Sequence, residues 1–239
     1  MPRLGTRKLH HMLHEQGVSV SRDRLFDLLR EHRMLVKRRK KYTVTTHSKH
    51  WMKKYPNLIR GFNFIKPNQL WVSDITYIPI EDSHAYLSLI TDACSRKIMG
   101  HCLSQSLSHE GSLKALELAL YDHTANLHGL IHHSDRDIQY CCKEYVELLK
   151  TNSIRISMTE NGDPYENALA ERVNGILKDE WLSLEQFHSF KNAEERINQV
   201  VKIYNEVRPH LSCGMKTPNQ KHNRTCALVA QPQRRIKKA

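Results

Sequence analysis

LWVSDITYIPI, residues 70–80, is an apolar, β-branched stretch with a single acid, Asp74, at its centre. Its alternation has the period of a strand. Two similar stretches follow across short polar connections, HAYLSLITDA (84–93) and RKIMGHCLSQ (96–105), so an antiparallel three-stranded meander is expected. The period then turns helical. Leu113, Leu116, Leu120 and Tyr121 line a helix expected from a cap at Ser108 to about Asn126. GLIHHSD (129–135) reads as a short buried strand, 143–150 as a helix and SIRISM (153–158) as the last strand. Two long helices are expected at about 164–181 and 190–206. The order βββαβαβα implies an α/β fold, a mixed five-stranded sheet with helices on its faces. No internal repeat or low-complexity tract interrupts it.

Upstream the pattern is all helical. Residues 5–16 carry Leu9, Met12 and Leu13 at helical spacing before Gly17, and Ser21 is a plausible N-cap for a second stripe of Leu25, Leu28 and Leu29. Two short helices around a glycine fit a helix-turn-helix, with Arg22, Arg24 and Arg30 on the second helix. An ordinary helical hairpin fits the pattern equally well. The run VKRRKK that follows (Lys37, Arg38, Arg39, Lys40, Lys41) favours DNA, since five clustered cations have little use in a core. The expected organisation is a basic DNA-binding segment (1–54), a linker (55–67) broken by Pro56, Gly61 and Pro67, a core (68–220) and a basic tail (221–239).

Charge supports that division. The net +12 is distributed as +11 over residues 1–54, +6 over 221–239 and −5 between them. A mildly acidic body between basic ends suits a catalytic unit with polyanion-binding arms. Basic ends that only keep a protein soluble are the blander reading. The start MPRLGTRKLHH has no apolar stretch behind it, and no run approaches the roughly 18–20 apolar residues that cross a bilayer. The expectation is a cytoplasmic, nucleoid-associated protein with no membrane partner. The six cysteines lack Cys-x-x-Cys spacing and read as reduced thiols. His132, His133, Cys141 and Cys142 match no common zinc spacing.

Three acids carry the chemistry. An ionised Asp74 inside an apolar strand must be paired, protonated or bound to a cation. Asp135 ends the following strand of the βαβ part, where a parallel neighbour can bring it beside Asp74. Glu171 lies on a helix expected to start at the cap Asp163, with Pro164 in its first turn and Glu166 completing a capping box. On that helix Ala170, Val173 and Leu177 form a core stripe, and Glu171, Asn174 and Lys178 the stripe beside it. Converging acids repel, and a divalent cation relieves them; oxygen-only ligands select Mg²⁺ or Mn²⁺ over Zn²⁺. Two such ions about 3.5–4 Å apart serve phosphoryl transfer. Each acid alone reads equally as a strand-end, turn or solvated helix residue. Asp82, Asp92 and Asp137 show that acids near strand ends are common here, and spacing does not choose among them.

The motifs do match a family. WVSDITYI around Asp74, HHSDRDIQY around Asp135 after 60 residues, and DPYENALAERVNGILKDE around Glu171 after 35 more resemble the D, D, E signature of retroviral-type integrase cores. More closely they resemble transposases of the insertion sequence three family. YNEVRPH…TP (Tyr204, Asn205, Arg208, Pro209, His210, Thr217, Pro218) is similar to its closing motif, and PRLGTRKLHHML to its helix-turn-helix segment. The turn CSRKIMG (94–100) fits as well, with Arg96 read as structural. Asp137 stands where a small residue is expected, and Cys213 takes an aliphatic place.

The resemblance implies an RNase H-like core, two Mg²⁺ or Mn²⁺ ions on Asp74, Asp135 and Glu171, and cleavage and strand transfer at the ends of an insertion element. It makes Lys178 a contact to the element end, and Arg172 and Asn174 either helix packing or DNA contacts. Double-stranded DNA is the expected partner, in a homo-oligomer, with a small upstream helix-turn-helix protein fused or associated. The competing readings are an inactive or unfused DNA-binding regulator and a nuclease that only hydrolyses.

Overall fold

The computed structural model describes residues 1, 3–36, 51–81, 83–121, 127–160 and 167–223. Lys37, Arg38, Arg39, Lys40 and Lys41, the expected capping residues Asp163, Pro164 and Glu166, and most of the basic tail lie outside them.

The period-2 segments form the sheet. β1 (Leu70–Ile80), β2 (Ser83–Asp92) and β3 (Ile98–Ser104) make the antiparallel meander. β4 (Ile131–Ser134) and β5 (Arg155–Met158) add on the other side of β1, both parallel, giving the order β3-β2-β1-β4-β5. β1 is therefore central, and its two faces lie in different cores. Ile78 and Ile80 pack with β2 and β3 beneath α6 (Ala168–Glu180) and α7 (Phe190–Glu206). Trp71 packs on the opposite face against α3 (His109–Tyr121) and α5 (Lys143–Thr151). This is a three-layer α/β/α sandwich, which a strand apolar on both faces requires.

Local sequence explains most boundaries. α7 begins at Ser189, whose hydroxyl accepts from the Asn192 N–H at 3.2 Å. Gly100 lets α3 lie directly on β3: a Cβ there would come within 2.0 Å of the Ala115 carbonyl oxygen. Two elements depart from expectation. A four-residue helix, α4 (Ile138–Cys141), follows β4, too short to leave a periodic trace. α6 starts at Ala168 rather than near 164, because Asn167 occupies the N-cap position and spends its amide on the Ser73 carbonyl of β1 at 3.0 Å.

The N-terminal segment holds the two expected helices, α1 (Thr6–Glu15) and α2 (Arg22–Glu31), joined through Gly17 at φ +81. Ser21 caps α2 by accepting from the Arg24 N–H at 3.2 Å, and Leu25 is its buried residue. α1 is tied to the core by charge. Arg208, 2% exposed, grips Glu180 with two bonds of 2.7 and 2.6 Å, and Lys8 of α1 reaches the same carboxylate at 3.0 Å. Two cations hold Glu180 below the ordinary glutamate range although burial pushes it up. No described helix is long and apolar enough to cross a membrane.

Candidate active site

Strand register brings the first two acids together. β1 pairs β4 in parallel with Leu70 beside Ile131, Trp71 beside His132 and Val72 beside His133. Two residues further along each strand, on the same face, come Asp74 and Asp135, which follows the end of β4. Neighbouring strands lie about 4.8 Å apart, so these two carboxyls are neighbours, and the charge of Asp74 acts on Asp135. The third acid arrives on α6. Ala170 packs with Leu70, Val72 and Ile131, while Val173 and Leu177 enter the core under α7, so the expected core stripe seats the helix. That fixes the adjoining stripe over β1: Asn174, 4% exposed, donates its amide to Asp74 Oδ2 at 2.8 Å.

The electrostatics carry the imprint of this convergence. Burial raises Asp74 to about 6; the charges of Glu171 and Asp137 push the same way, and the Asn174 amide pulls against them. Asp135 is raised well above the ordinary range by burial and then by Asp137 and Asp74. Asp137, expected as a departure from the family pattern, thus adds a fourth negative charge at the pocket. The oxygens of Asp74, Asp135 and Glu171 do not all lie within 4.8 Å of one another; among the described residues that condition is met by His109, Cys142 and Glu144. Glu171 is exposed on the first turn of α6, beside the undescribed residues 161–166.

Beneath the pocket the packing is rigid and uncharged. His132, 1% exposed, has Nε2 2.7 Å from the Ser73 hydroxyl and 2.9 Å from the Tyr145 hydroxyl. Burial, then His133, lowers its pKa to about 3, so it is a neutral strut. Its sequence neighbours match no common zinc spacing, and only the fold reveals the strut role. Asn167 and Ser73 are likewise silent in the sequence; only their place inside the quoted motifs marks them.

The other expected residues are dispersed. Lys178 is half-buried on α6 and Arg24 exposed on α2. Asn174, expected as packing or a DNA contact, has its amide committed to Asp74. The donor set is all oxygen, and Asp74 and Asp135 are each disfavoured as anions by burial and by neighbouring carboxylates. A hard divalent cation such as Mg²⁺ or Mn²⁺ suits both features, so these residues fit such a metal.

Comparison with known proteins gives the family. Family models described as integrase core domain match residues 65–164 and 152–218. The chain is 37% identical over 216 residues to the insertion element IS600 uncharacterized 31 kDa protein of Shigella sonnei, covering 90% of this chain and 79% of that one. It is 30% identical over 227 residues to transposase InsF for insertion sequence IS3A of Escherichia coli K12, covering 94% and 78%. The chain belongs to the IS3 family of insertion-sequence transposases. This transposase acts in the DNA transposition of an insertion element, and its core has the RNase H-like fold of polynucleotidyl transferases. The HTLV-2 integrase catalytic core domain, solved with magnesium in a trimeric form, shares that fold with a TM-score of 0.52 at 21% identity, over 67% of this chain and 99% of that one.

Proposed function

We propose that Asp74, Asp135 and Glu171 hold two Mg²⁺ or Mn²⁺ ions, and that this transposase both cuts the phosphodiester at an element end and joins the freed 3′-hydroxyl to target DNA. The observation that carries this reading is the in-register approach of Asp74 and Asp135 on parallel strands, with Glu171's charge felt at Asp74. The magnesium in the HTLV-2 core points the same way. Ions bound there would activate a water or a 3′-hydroxyl and neutralise the leaving oxygen. The chain's own contribution is positioning. Asn174 fixes Asp74, Asn167 clamps the start of α6 to β1, and the neutral His132 strut keeps β1 and β4 in register.

The proposal extends to the arms. Residues 1–54 bind DNA through Arg24 and the run Lys37, Arg38, Arg39, Lys40 and Lys41, residues 55–67 link them to a catalytic core at 68–220, and the tail 221–239 adds phosphate contacts. Lys178 touches the element end from α6, on the stripe of Glu171 and Asn174. The active form is a multimer on two DNA ends, acting alone or with an upstream helix-turn-helix protein.

Purified protein, a labelled duplex ending in the element's terminal repeat, and Mg²⁺ test this. Nicked and joined products are expected, and Asp74→Asn, Asp135→Asn and Glu171→Gln abolish both while DNA binding survives. Binding without products, even after fusion to the upstream protein, overturns the enzyme reading in favour of a regulator; nicks without joints leave a nuclease. Neutralising the run 37–41 flattens the salt dependence of binding by roughly one unit of slope for each phosphate that the variant no longer neutralises. An unchanged slope removes that run from the interface.

A further inference from the structure

α6 presents a second face. About 100° around the helix from Glu171 lies Arg172, which opens not on the carboxylates but on a separate cavity of about 400 Å³ between α6, α1 and the 3₁₀ turn Leu211–Cys213. Four cationic side chains line it: Lys8 from α1, Arg96 from the β2–β3 turn, Arg172 from α6 and Arg208 from the segment after α7. Glu180, the acid that acts on these groups, is already engaged by Arg208 and Lys8. Arg172 makes no hydrogen bond or ion pair among the described residues. Among the described residues Glu180 is the one acid acting on Lys8 and His210, and burial, then Arg208, holds Lys8 below the ordinary lysine range.

Two buried nitrogens of the lining side chains are also without a partner among the described residues. The Arg96 Nε–H donates to the Ser212 hydroxyl at 3.2 Å, and that hydroxyl lies 3.0 Å from His210 Nδ1. Arg96 Nη1 and His210 Nε2 are both buried and have no hydrogen-bond partner among the described residues. Buried polar nitrogens without partners are costly, and both belong to side chains that line this cavity.

The wall beside these cations is aliphatic, formed by Leu169, Ile176 and Leu211. A bare phosphate would leave that wall unused, and a duplex is too wide for the space. A single nucleotide satisfies both halves, with its base or sugar on the apolar wall and its phosphate among the cations. We propose that this cavity receives one nucleotide extruded from the DNA at the element end, held by Lys8, Arg96, Arg172 and His210 one helix face away from the carboxylates. The proposal deepens the transposase reading and assigns Arg96, expected as purely structural, to the substrate. It also gives α1 a role in the site, since Lys8 completes the cation cluster.

The test uses the full chain without Mg²⁺ and duplexes of the element's end in which 2-aminopurine replaces one base at a time, at the terminus and in its flank. One position is expected to brighten roughly five-fold on binding as its base leaves the stack. Arg172→Ala and, independently, Leu211→Trp, which fills the cavity from an exposed edge, both remove that rise while duplex binding persists. Asp74→Asn keeps the rise and, once Mg²⁺ is added, forms no products where the wild type does, so failure of the metal reading is separable from failure of this one. The assignment is overturned if no position brightens, or if the rise survives both variants. It is equally overturned if millimolar inorganic phosphate stabilises the wild type but not Arg172→Ala while every labelled position stays dark, which would make the cavity a free-anion site.

Discussion

Two carboxylate regions at the β1–β2 pair look alike in sequence and differ in what surrounds them. Asp92, at the end of β2, is fully buried, and burial raises its pKa. It accepts from the N–H groups of Asn68, Cys94 and Ser95 and from the Ser95 hydroxyl, at 2.7–3.1 Å, with His222 4.0 Å away. Its lone pairs are supplied by the protein, and it staples the turn into β3. Asp74 has the Asn174 amide and the Ile75 backbone, and Asp135 a long 3.3 Å bond from the Asp137 N–H; both face further negative charge. A structural acid is surrounded by donors, whereas an acid left short of donors beside other acids is arranged for a ligand that brings positive charge.

The sharpest way to break this contrast is to remove charge on each side of it. Asp74→Asn or Asp135→Asn is expected to lower strand transfer at least about a thousand-fold, some 4 kcal/mol of transition-state stabilisation, while thermal denaturation finds the fold as stable as before or more so. A large drop in stability would move Asp74 into Asp92's class. Glu180 is the intermediate case, an acid supplied by cations. Arg208→Ala leaves it with Lys8 alone and should cost about 3 kcal/mol in urea titrations. Because Glu180's folded pKa is depressed, its contribution is fully present above the unfolded value of about 4.3 and is lost as pH falls through the folded one. Arg208→Ala should flatten that acid limb, and a limb unchanged in the variant would deny Glu180 the role.

Asp92→Ala leaves several buried donors without an acceptor and is expected to cost about 2–3 kcal/mol by chemical denaturation, regardless of metal. An unchanged stability would mean the turn holds itself. The smallest effect separates the two regions by ligand. Saturating Mg²⁺ should raise stability by about 1–3 kcal/mol in a thermal shift, an increment that vanishes in the Asp74→Asn, Asp135→Asn double variant and persists in Asp92→Ala. Equal Mg²⁺ responses in all three proteins would put the ion elsewhere.

Much of the sheet is legible in the sequence. The limits of β1 coincide with those of the quoted stretch because an unbroken β-branched segment bounded by polar residues has one compatible structure, and α7 is marked by Ser189 and a long periodic stripe. The start of α6 reads too early: the sequence suggests a cap at Asp163, whereas the N-cap position belongs to Asn167, whose bond to Ser73 involves a strand 94 residues away. The three acids stand out as a pattern, but Asp92 and Asp137 are equally conspicuous. Nothing local separates an acid that will meet four donors from one that will meet other acids.

The order of elements, the faces they bury and the clustering of basic residues at both ends were determined by the sequence itself, because periodicity and charge act over a turn of helix or a pair of strand residues. Tertiary structure decided the rest. Asp74 meets Asp135 only through the β1–β4 register, and Lys8, Arg96, Arg172 and Arg208 share a cavity only because α1, a hairpin turn, α6 and the segment after α7 pack side by side. Electrostatic energy depends on separation in space and on burial, and a chain acquires both only when it folds.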